Sequence, residues 1–251
     1  MKKIIAGLGI IILTVCCKGN NVIKISNTNY ELAFSDEFDE QSLKTDIWDY
    51  RTDSKHWSTQ KKENVEVKDG FLYLNLKKEK SLDKEYTGAG LISKKKFKYG
   101  YYEARLKTPF GGGWHTSFWL MTHDGSGGTN TNVATIEIDI LENDSKDRKG
   151  YHVNLHKWYD GHKDYIGKHV EAFGIDEKFQ VLACEYTPEY VRYYLNGEVV
   201  REINIKDLNH SGLNIWLTSI ASFLGGTESV DDTKLPSSAI FDYVRYYKPV
   251  K

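Results

Sequence analysis

Short runs of β-branched and aromatic residues recur along the chain at a spacing of about ten residues, which is typical of all-β proteins. Examples are Phe71 to Leu76, Gly100 to Lys107 and Gln180 to Tyr186. Turn-forming residues separate the runs, as in the Lys-Asp-Gly segment at 68–70. Since no long segment repeats its apolar residues at the period of a helix, the sequence predicts many short antiparallel strands folded as a two-sheet sandwich.

The segment VRYYLNGEVVREI at 191–203 carries the clearest local signal. Tyr and Val alternate on either side of Asn196-Gly197, and this dipeptide readily adopts the positive φ angles of a type I′ turn. We therefore expect a β-hairpin here.

Composition and charge narrow the classes of function. The 251 residues are 40% hydrophobic and 27% charged, which is enough apolar material for one domain with a full core. With 34 Lys and Arg against 35 Asp and Glu, the formal net charge is -1. Such a chain has no electrostatic basis for binding nucleic acid or anionic lipid, so we expect a partner that is uncharged or small. We also expect a monomer.

The N-terminus has the pattern of an export signal. A charged start precedes an apolar run at 4–15, which is too short to span a bilayer, and two cysteines follow. LTVCC resembles a bacterial lipobox, so we predict a lipoprotein-type signal peptide at 1–17 with the lipid on Cys16 or Cys17. This predicts an exported bacterial lipoprotein of the outer membrane, held only by its lipid anchor. The alternative is a plain signal peptide with incidental cysteines.

The remainder divides into a tether and one domain. Residues 18–29 are polar and are predicted as the tether, and 30–251 as the domain. Cys184 is then the only cysteine in the exported domain, which excludes an intrachain disulfide. It lies in the apolar run FQVLACEY, where we expect a buried, inert thiol rather than a nucleophile.

The segment ATIEIDILEND at 134–144 places three carboxylates in an apolar strand. Strand side chains alternate between faces, so Glu137 and Asp139 share a face while Glu142 is out of phase. A bulge of one residue between Asp139 and Glu142 would restore the phase and gather all three acids on one face. The alternatives are acids that face solvent and a site for a hard metal cation, for which ligands from a single strand form a poor cage.

Two glutamates on one concave face can act as a catalytic pair. Retaining glycosidases use two carboxyl groups about 5–5.5 Å apart, and Glu side chains that lean together from Glu137 and Glu142 can reach that separation. Asp139 between them would share a proton or hydrogen bond and separate the pKa values of its neighbours.

These residues and several other segments resemble glycoside hydrolase family 16. EIDILE is similar to the Glu-x-Asp-x-x-Glu signature of that family in its bulged form. The resemblance extends from Leu32 to Lys248 and includes, in order, LAFSDEFD, ENVEVKDGFLYL, AGLISKKKFKYGYYEARLKTP, GGGWHTSFWLM, YTPEYVRYYLNGEVV and FDYVRYYK. It implies a jelly-roll sandwich of two curved antiparallel sheets with a concave substrate cleft.

The resemblance also implies roles for the three acids. Glu137 corresponds to the nucleophile that forms a covalent glycosyl-enzyme, and Glu142 to the residue that first protonates the leaving oxygen and then activates water. Asp139 would hold the protonation pattern of the pair. No cofactor is implied for catalysis.

Aromatic and polar residues near the triplet are candidates for substrate binding. Aromatic rings stack on the apolar faces of sugars, and Trp114, Trp119 and Trp158 lie close in sequence to the acids. Trp114 and Trp119 are five residues apart, so we expect one in the cleft and one in the core; the resemblance favours Trp114 for the cleft. HVNLHKW at 152–158 alternates polar residues on one face, and the resemblance places His156 beside the acids. His115 is a further candidate.

The resemblance raises two further expectations. Many relatives bind a structural calcium on the convex face, and Glu37, Gly70 and Asp242 match those positions, with surface salt bridges as the alternative. For the substrate, the segments TNVATIEID and LNIWLTSIAS depart from the laminarinase pattern. We therefore predict an endo-β-1,4-galactosidase acting on poly-N-acetyllactosamine or mucin O-glycan chains. The alternatives are a laminarinase-like β-1,3(4)-glucanase and a non-catalytic carbohydrate-binding surface lipoprotein.

Overall fold

The computed structural model describes residues 21–129, 135–165, 167–224 and 226–250. These residues form nineteen strands and two 3-10 turns, with no α-helix among them. In chain order the strands are β1 Val22–Ile25, β2 Thr28–Asp36, β3 Trp48–Tyr50, β4 Ser54–Lys55, β5 Ser58–Gln60, β6 Val65–Lys68, β7 Phe71–Ser81, β8 Lys84–Ser93, β9 Gly100–Lys107, β10 Trp114–Met121, β11 Ile136–Asp144, β12 Gly150–Lys157, β13 Lys163–Asp164, β14 Lys168–Glu171, β15 Gln180–Tyr186, β16 Tyr190–Leu195, β17 Glu198–Asn204, β18 Asn214–Ala221 and β19 Ser237–Pro249. The 3-10 turns are Lys62–Asn64 and Asp232–Lys234.

The strands form two main antiparallel layers. In the inner layer the order is β3, β8, β18, β10, β11, β12 and β14. In the outer layer β19 pairs on one side with β7 and then β2, and on the other side with β9, which is followed by β15, β16 and β17. The predicted all-β, two-sheet architecture is confirmed.

The hydrophobic core lies between the two layers. Leu72 and Tyr102 project from the outer layer, and Phe118, Ile138 and Leu217 from the inner one; all five are fully buried in one cluster. Removing such side chains from water is the main force that holds the layers together. The opposite face of β10, β11 and β18 is thereby left to form a cleft.

Three glycines lead the chain into β10. Gly111, Gly112 and Gly113 have φ angles of +130°, +111° and +83°, which non-glycine residues rarely adopt. A Cβ on Gly113 would also lie only 2.6 Å from Cα of Val230. This turn therefore requires glycine, and it fixes where β10 enters the inner layer.

The hairpin predicted at 191–203 is confirmed, since β16 and β17 pair around Asn196 and Gly197 with φ of 50° and 85°. Within the segment predicted as a tether, 18–29, the described residues include the strand β1. Val22–Ile25 pairs with β2, because Ile23 and Ile25 pack against the outer face of that layer. Cys184 is a buried free thiol, as expected.

The predicted signal peptide at 1–17, with Cys16 and Cys17, lies outside the described residues and stays a prediction. Within the described ranges, no helix has the length and apolar character needed to cross a membrane.

Candidate active site

A bulge in β11 brings the acid triplet onto one face. Asp139 lies opposite Asn154 of β12, and Glu142 lies opposite His152. An advance of three residues along β11 therefore matches an advance of only two residues along β12. On the other side, Asp139 and Leu141 pair with the consecutive residues Trp119 and Phe118 of β10, which leaves Ile140 as the extra residue. The predicted bulge is present at the predicted position.

The bulge also explains the burial pattern of the strand. Ile138 points into the core before the bulge, and both Ile140 and Leu141 are buried in the same core cluster. Glu137, Asp139 and Glu142 instead line the cleft on the opposite face, together with His115, Trp119 and Trp158. The one extra residue therefore lets an otherwise apolar strand present three carboxyl groups on its cleft face.

Glu137 is held by an indole hydrogen bond. Nε1 of Trp158 donates to Oε2 of Glu137 over 2.6 Å. Burial raises the pKa of Glu137, while the charge of His156 and this hydrogen bond oppose the increase without cancelling it. Trp158, predicted as a sugar platform, thus also orients the predicted nucleophile.

Asp139 is the most deeply buried of the three acids. Its side chain is 3% exposed, and its Oδ2 atom lies 3.2 Å from Nε2 of His156 without an aligned hydrogen bond. Burial, reinforced by the charges of Glu142 and Glu137 on either side, raises its pKa well above the ordinary value. Asp139 is therefore the member of the triplet best suited to hold a proton.

Glu142 differs from Glu137 because a histidine lies beside it. Nε2 of His115 is 3.5 Å from Oε1 of Glu142. Burial raises the pKa of Glu142, but His115, with smaller effects from His156 and His152, outweighs burial, and the net pKa lies below the ordinary value. The lowered pKa favours the ionised form of Glu142 at neutral pH, whereas a general acid must carry a proton.

The two tryptophans of β10 lie on opposite faces, as expected, but Trp119 rather than Trp114 faces the cleft. Trp119 lines the cleft and stacks on Trp216 of β18, with ring centroids 4.6 Å apart. Trp114 is 1% exposed and packs with Leu76 and Val230 on the core side. The prediction that Trp114 binds substrate is therefore wrong for the described cleft, because its strand phase matches that of Phe118.

His156 links the triplet to a group of polar residues at the rim. Burial lowers its pKa, but the contact with Asp139 and the charges around it raise the pKa to about 10. Nδ1 on the other side of the ring contacts Asp164 and lies 3.3 Å from Nε2 of His162. The ring of His162 stacks on Trp158 with centroids 4.1 Å apart.

Sequence reasoning missed the wall contributed by β4. Lys55 and His56 line the cleft beside Glu137, and burial lowers the pKa of both side chains. Nζ of Lys55 donates to the hydroxyl of Thr129 over 3.2 Å. No local signal marks these residues, which are distant in sequence from the acids; β4 pairs with β5, and β5 pairs with β8 of the inner layer.

The predicted calcium ligands do not fit a cation site. Both carboxylate oxygens of Glu37 accept hydrogen bonds from Arg245, at 2.9 and 2.6 Å. Asp242 pairs with Arg105. Since arginines already neutralise these acids, the arrangement matches the salt-bridge alternative rather than a calcium site.

Comparison with known proteins agrees with this geometry. A family model described as "Beta-porphyranase A-D, GH16 domain" matches residues 30–249. The chain belongs to glycoside hydrolase family 16. It is 26% identical to a β-glucanase of Rhodothermus marinus, over 89% of this chain and 87% of that protein.

Two further relatives of this family 16 chain are informative. The fold matches the endo-β-1,3-glucanase of Pyrococcus furiosus with a TM-score of 0.79 and 22% identity, over 92% of this chain and 99% of that one. β-Porphyranase D of Zobellia galactanivorans is 32% identical, over 59% of this chain and 39% of that protein. The sandwich is thus the jelly roll that the sequence predicted.

Membership defines the class of reaction. The family 16 chain is a retaining, endo-acting O-glycosyl hydrolase, and hydrolysis in this family requires no cofactor. The alternative of a non-catalytic binding protein is therefore set aside.

Proposed function

We propose that the protein is an endo-β-glucanase that hydrolyses internal β-1,3 or mixed β-1,3-1,4 linkages of glucans. The observation that carries the proposal is the bulged strand, which places Glu137, Asp139 and Glu142 together in one cleft. The choice of glucan is supported by the relatives named as β-glucanases. They favour this alternative over the galactose-containing glycan that the sequence departures suggested.

In the first step, a carboxylate oxygen of Glu137 attacks the anomeric carbon of the bound glycan. The bond from this carbon to the glycosidic oxygen breaks, and the oxygen takes a proton from Glu142. The hydrogen bond from Trp158 keeps the attacking carboxylate in place. For Glu142 to carry that proton, its pKa must rise when the glycan covers it, because added burial destabilises the carboxylate.

In the second step, Glu142 accepts a proton from water as the water oxygen attacks the same carbon. The bond to Glu137 breaks, the carboxylate is regenerated and the product keeps the original anomeric configuration. Asp139, buried between the two glutamates, stabilises the proton distribution that alternates across the cycle.

A galactose-containing glycan is the second candidate. It is supported by the family model, which is described by β-porphyranases, and by the 32% identity with β-porphyranase D. The departures TNVATIEID and LNIWLTSIAS from the laminarinase pattern point in the same direction.

Product analysis distinguishes the two candidates. The purified protein is incubated in parallel with laminarin, mixed-linkage glucan, agarose, porphyran, keratan-type glycans and mucin O-glycans, and the products are analysed by mass spectrometry. E137Q and E142Q serve as matched controls, since each keeps the shape of the side chain but removes its charge.

We expect oligosaccharides from laminarin or mixed-linkage glucan and none from either control. Products only from porphyran, keratan-type or mucin glycans would instead support the second candidate. Full activity of E137Q or E142Q on any substrate would contradict the assigned roles.

We also propose that the protein is exported and anchored by a lipid on Cys16 or Cys17. The support is the charged start, the short apolar run and the LTVCC segment. Mass spectrometry of the mature N-terminus, with C16S and C17S compared, tests this proposal. An unmodified N-terminus in the wild type would contradict it.

A further inference from the structure

Three metal-binding side chains converge at the rim of the cleft. His156 is on β12, Asp164 on β13, and His162 lies in the connecting turn. Nδ1 of His156, Nε2 of His162 and a carboxylate oxygen of Asp164 all lie within 4.8 Å of one another. The side chains are 17%, 43% and 55% exposed, so an ion can reach them from solvent.

Two of the three spacings between the donor atoms are close to those of a tetrahedral metal site. A Zn–N bond of about 2.0–2.1 Å and tetrahedral angles place two ligand atoms about 3.3 Å apart. Nδ1 of His156 lies 3.3 Å from Nε2 of His162, and the latter lies 2.9 Å from Oδ1 of Asp164. The third pair, Nδ1 of His156 and Oδ1 of Asp164, is in direct hydrogen-bond contact, so the exposed Asp164 side chain must rotate away from the ring for an ion to enter.

The surroundings of the two histidines also suit metal binding. A histidine ligand commonly has a carboxylate at its second ring nitrogen, which fixes the ring. Nε2 of His156 lies 3.2 Å from Oδ2 of the buried Asp139, near such a position although the two atoms form no aligned hydrogen bond. Trp158 stacks on the ring of His162 with an interplanar angle of 11°, which orients that imidazole before an ion arrives.

We propose that His156, His162 and Asp164 bind one divalent transition-metal ion, with Zn²⁺ as the best match. Two imidazole nitrogens and one carboxylate oxygen form a donor set that suits such ions, whereas Ca²⁺ and Mg²⁺ prefer sites made entirely of oxygen. The fourth position is left for water. The site lies beside Trp158 and the acid triplet, at the edge of the catalytic cleft.

The competing arrangement is a network of ion pairs without metal. In that case Nδ1 of His156 carries a proton that it donates to Asp164, and Zn²⁺ does not bind to these three residues. Metal binding would release this proton, so Zn²⁺ affinity is expected to weaken as pH falls.

Isothermal titration calorimetry of the purified protein with Zn²⁺ tests the proposal. We expect one equivalent of Zn²⁺ to bind, with no comparable heat from Ca²⁺ or Mg²⁺. H162A and D164N should each weaken binding at least tenfold, since even loss of a second-shell partner costs about 10–100-fold. Visible absorption of the Co²⁺-loaded protein should show tetrahedral or five-coordinate bands that H162A abolishes.

The matched control is H169A. His169 forms a similar pair with Asp147, at 2.7 Å on the same layer, but belongs to no three-donor group among the described residues. H169A should bind Zn²⁺ like the wild type. Absence of saturable binding, wild-type affinity in H162A and D164N, or equal loss in H169A would each overturn the proposal. Thermal melts verify folding, and D164N decides the outcome if H162A fails to fold.

Discussion

Replacing Trp158 with phenylalanine should shift the pH dependence of hydrolysis in a defined direction. The substitution removes the hydrogen bond of 2.6 Å from Nε1 to Glu137 but keeps an aromatic ring that can stack on His162. The lost bond stabilises the ionised carboxylate, so its removal raises the pKa of Glu137. The acidic limb of the profile, where the nucleophile loses its charge, should therefore move to higher pH.

The size of the shift follows from the charge on the acceptor. A hydrogen bond to a charged group contributes about 1.5–3 kcal/mol, and about 1.36 kcal/mol corresponds to one pKa unit. W158F should therefore move the acidic limb upward by roughly 1–2 pH units. Because Glu137 interacts with Asp139 and Glu142, the position of the limb gives an apparent pKa of the three interacting acids rather than of Glu137 alone.

The measurement is kcat as a function of pH, since kcat reports ionisations of the enzyme–glycan complex, in which the covered Glu142 carries its proton. The substrate is the glycan identified by product analysis. W119F is the matched control, because Nε1 of Trp119 donates to the neutral hydroxyl of Thr218 over 3.2 Å rather than to an acid. An acidic limb that stays at its wild-type position in W158F, or moves equally in W119F, would refute the reasoning.

Three further predictions concern other residues around the strand. H115Q removes the group that lowers the pKa of Glu142, so the basic limb of kcat should move to higher pH; an unchanged limb would contradict this. The pKa of His156 is raised from 6.5 to about 10, so it adds stability that is full below pH 6.5 and is lost toward pH 10. Thermal melts of H156Q should accordingly fall below wild type at neutral pH and approach it near pH 10, and a constant difference would count against this ionisation. I138A removes a fully buried side chain and should lower the free energy of unfolding by about 2–5 kcal/mol in urea titrations, while a change below about 1 kcal/mol would contradict the packing.

The sequence was most informative where the period of a strand leaves little freedom. The three acids could be placed because alternation allows only one way to put Glu137 and Glu142 on the same face, namely a bulge. The Asn196-Gly197 hairpin could be placed because few dipeptides adopt its two positive φ angles. Both are local constraints that do not depend on the rest of the fold.

Features that depend on distant contacts were not predictable in the same way. The phase of β10 alone did not reveal which face of that strand meets the core, so Trp114 was placed on the wrong side. The arginines that neutralise Glu37 and Asp242 come from distant parts of the sequence. Lys55 lines the cleft although it is distant in sequence from the acids. The strand at 22–25 pairs with β2, a contact that the sequence pattern of this short segment did not reveal.

The position of β11 inside its layer determines how the site responds to thermal motion. This strand is paired on both sides, and one of its faces is sealed against the core. Its amide hydrogens should exchange with solvent only when the whole domain opens, whereas the turn that carries His162 can open by itself. The spacing of the acids should therefore persist as long as the domain stays folded, while the rim beside them can change shape separately.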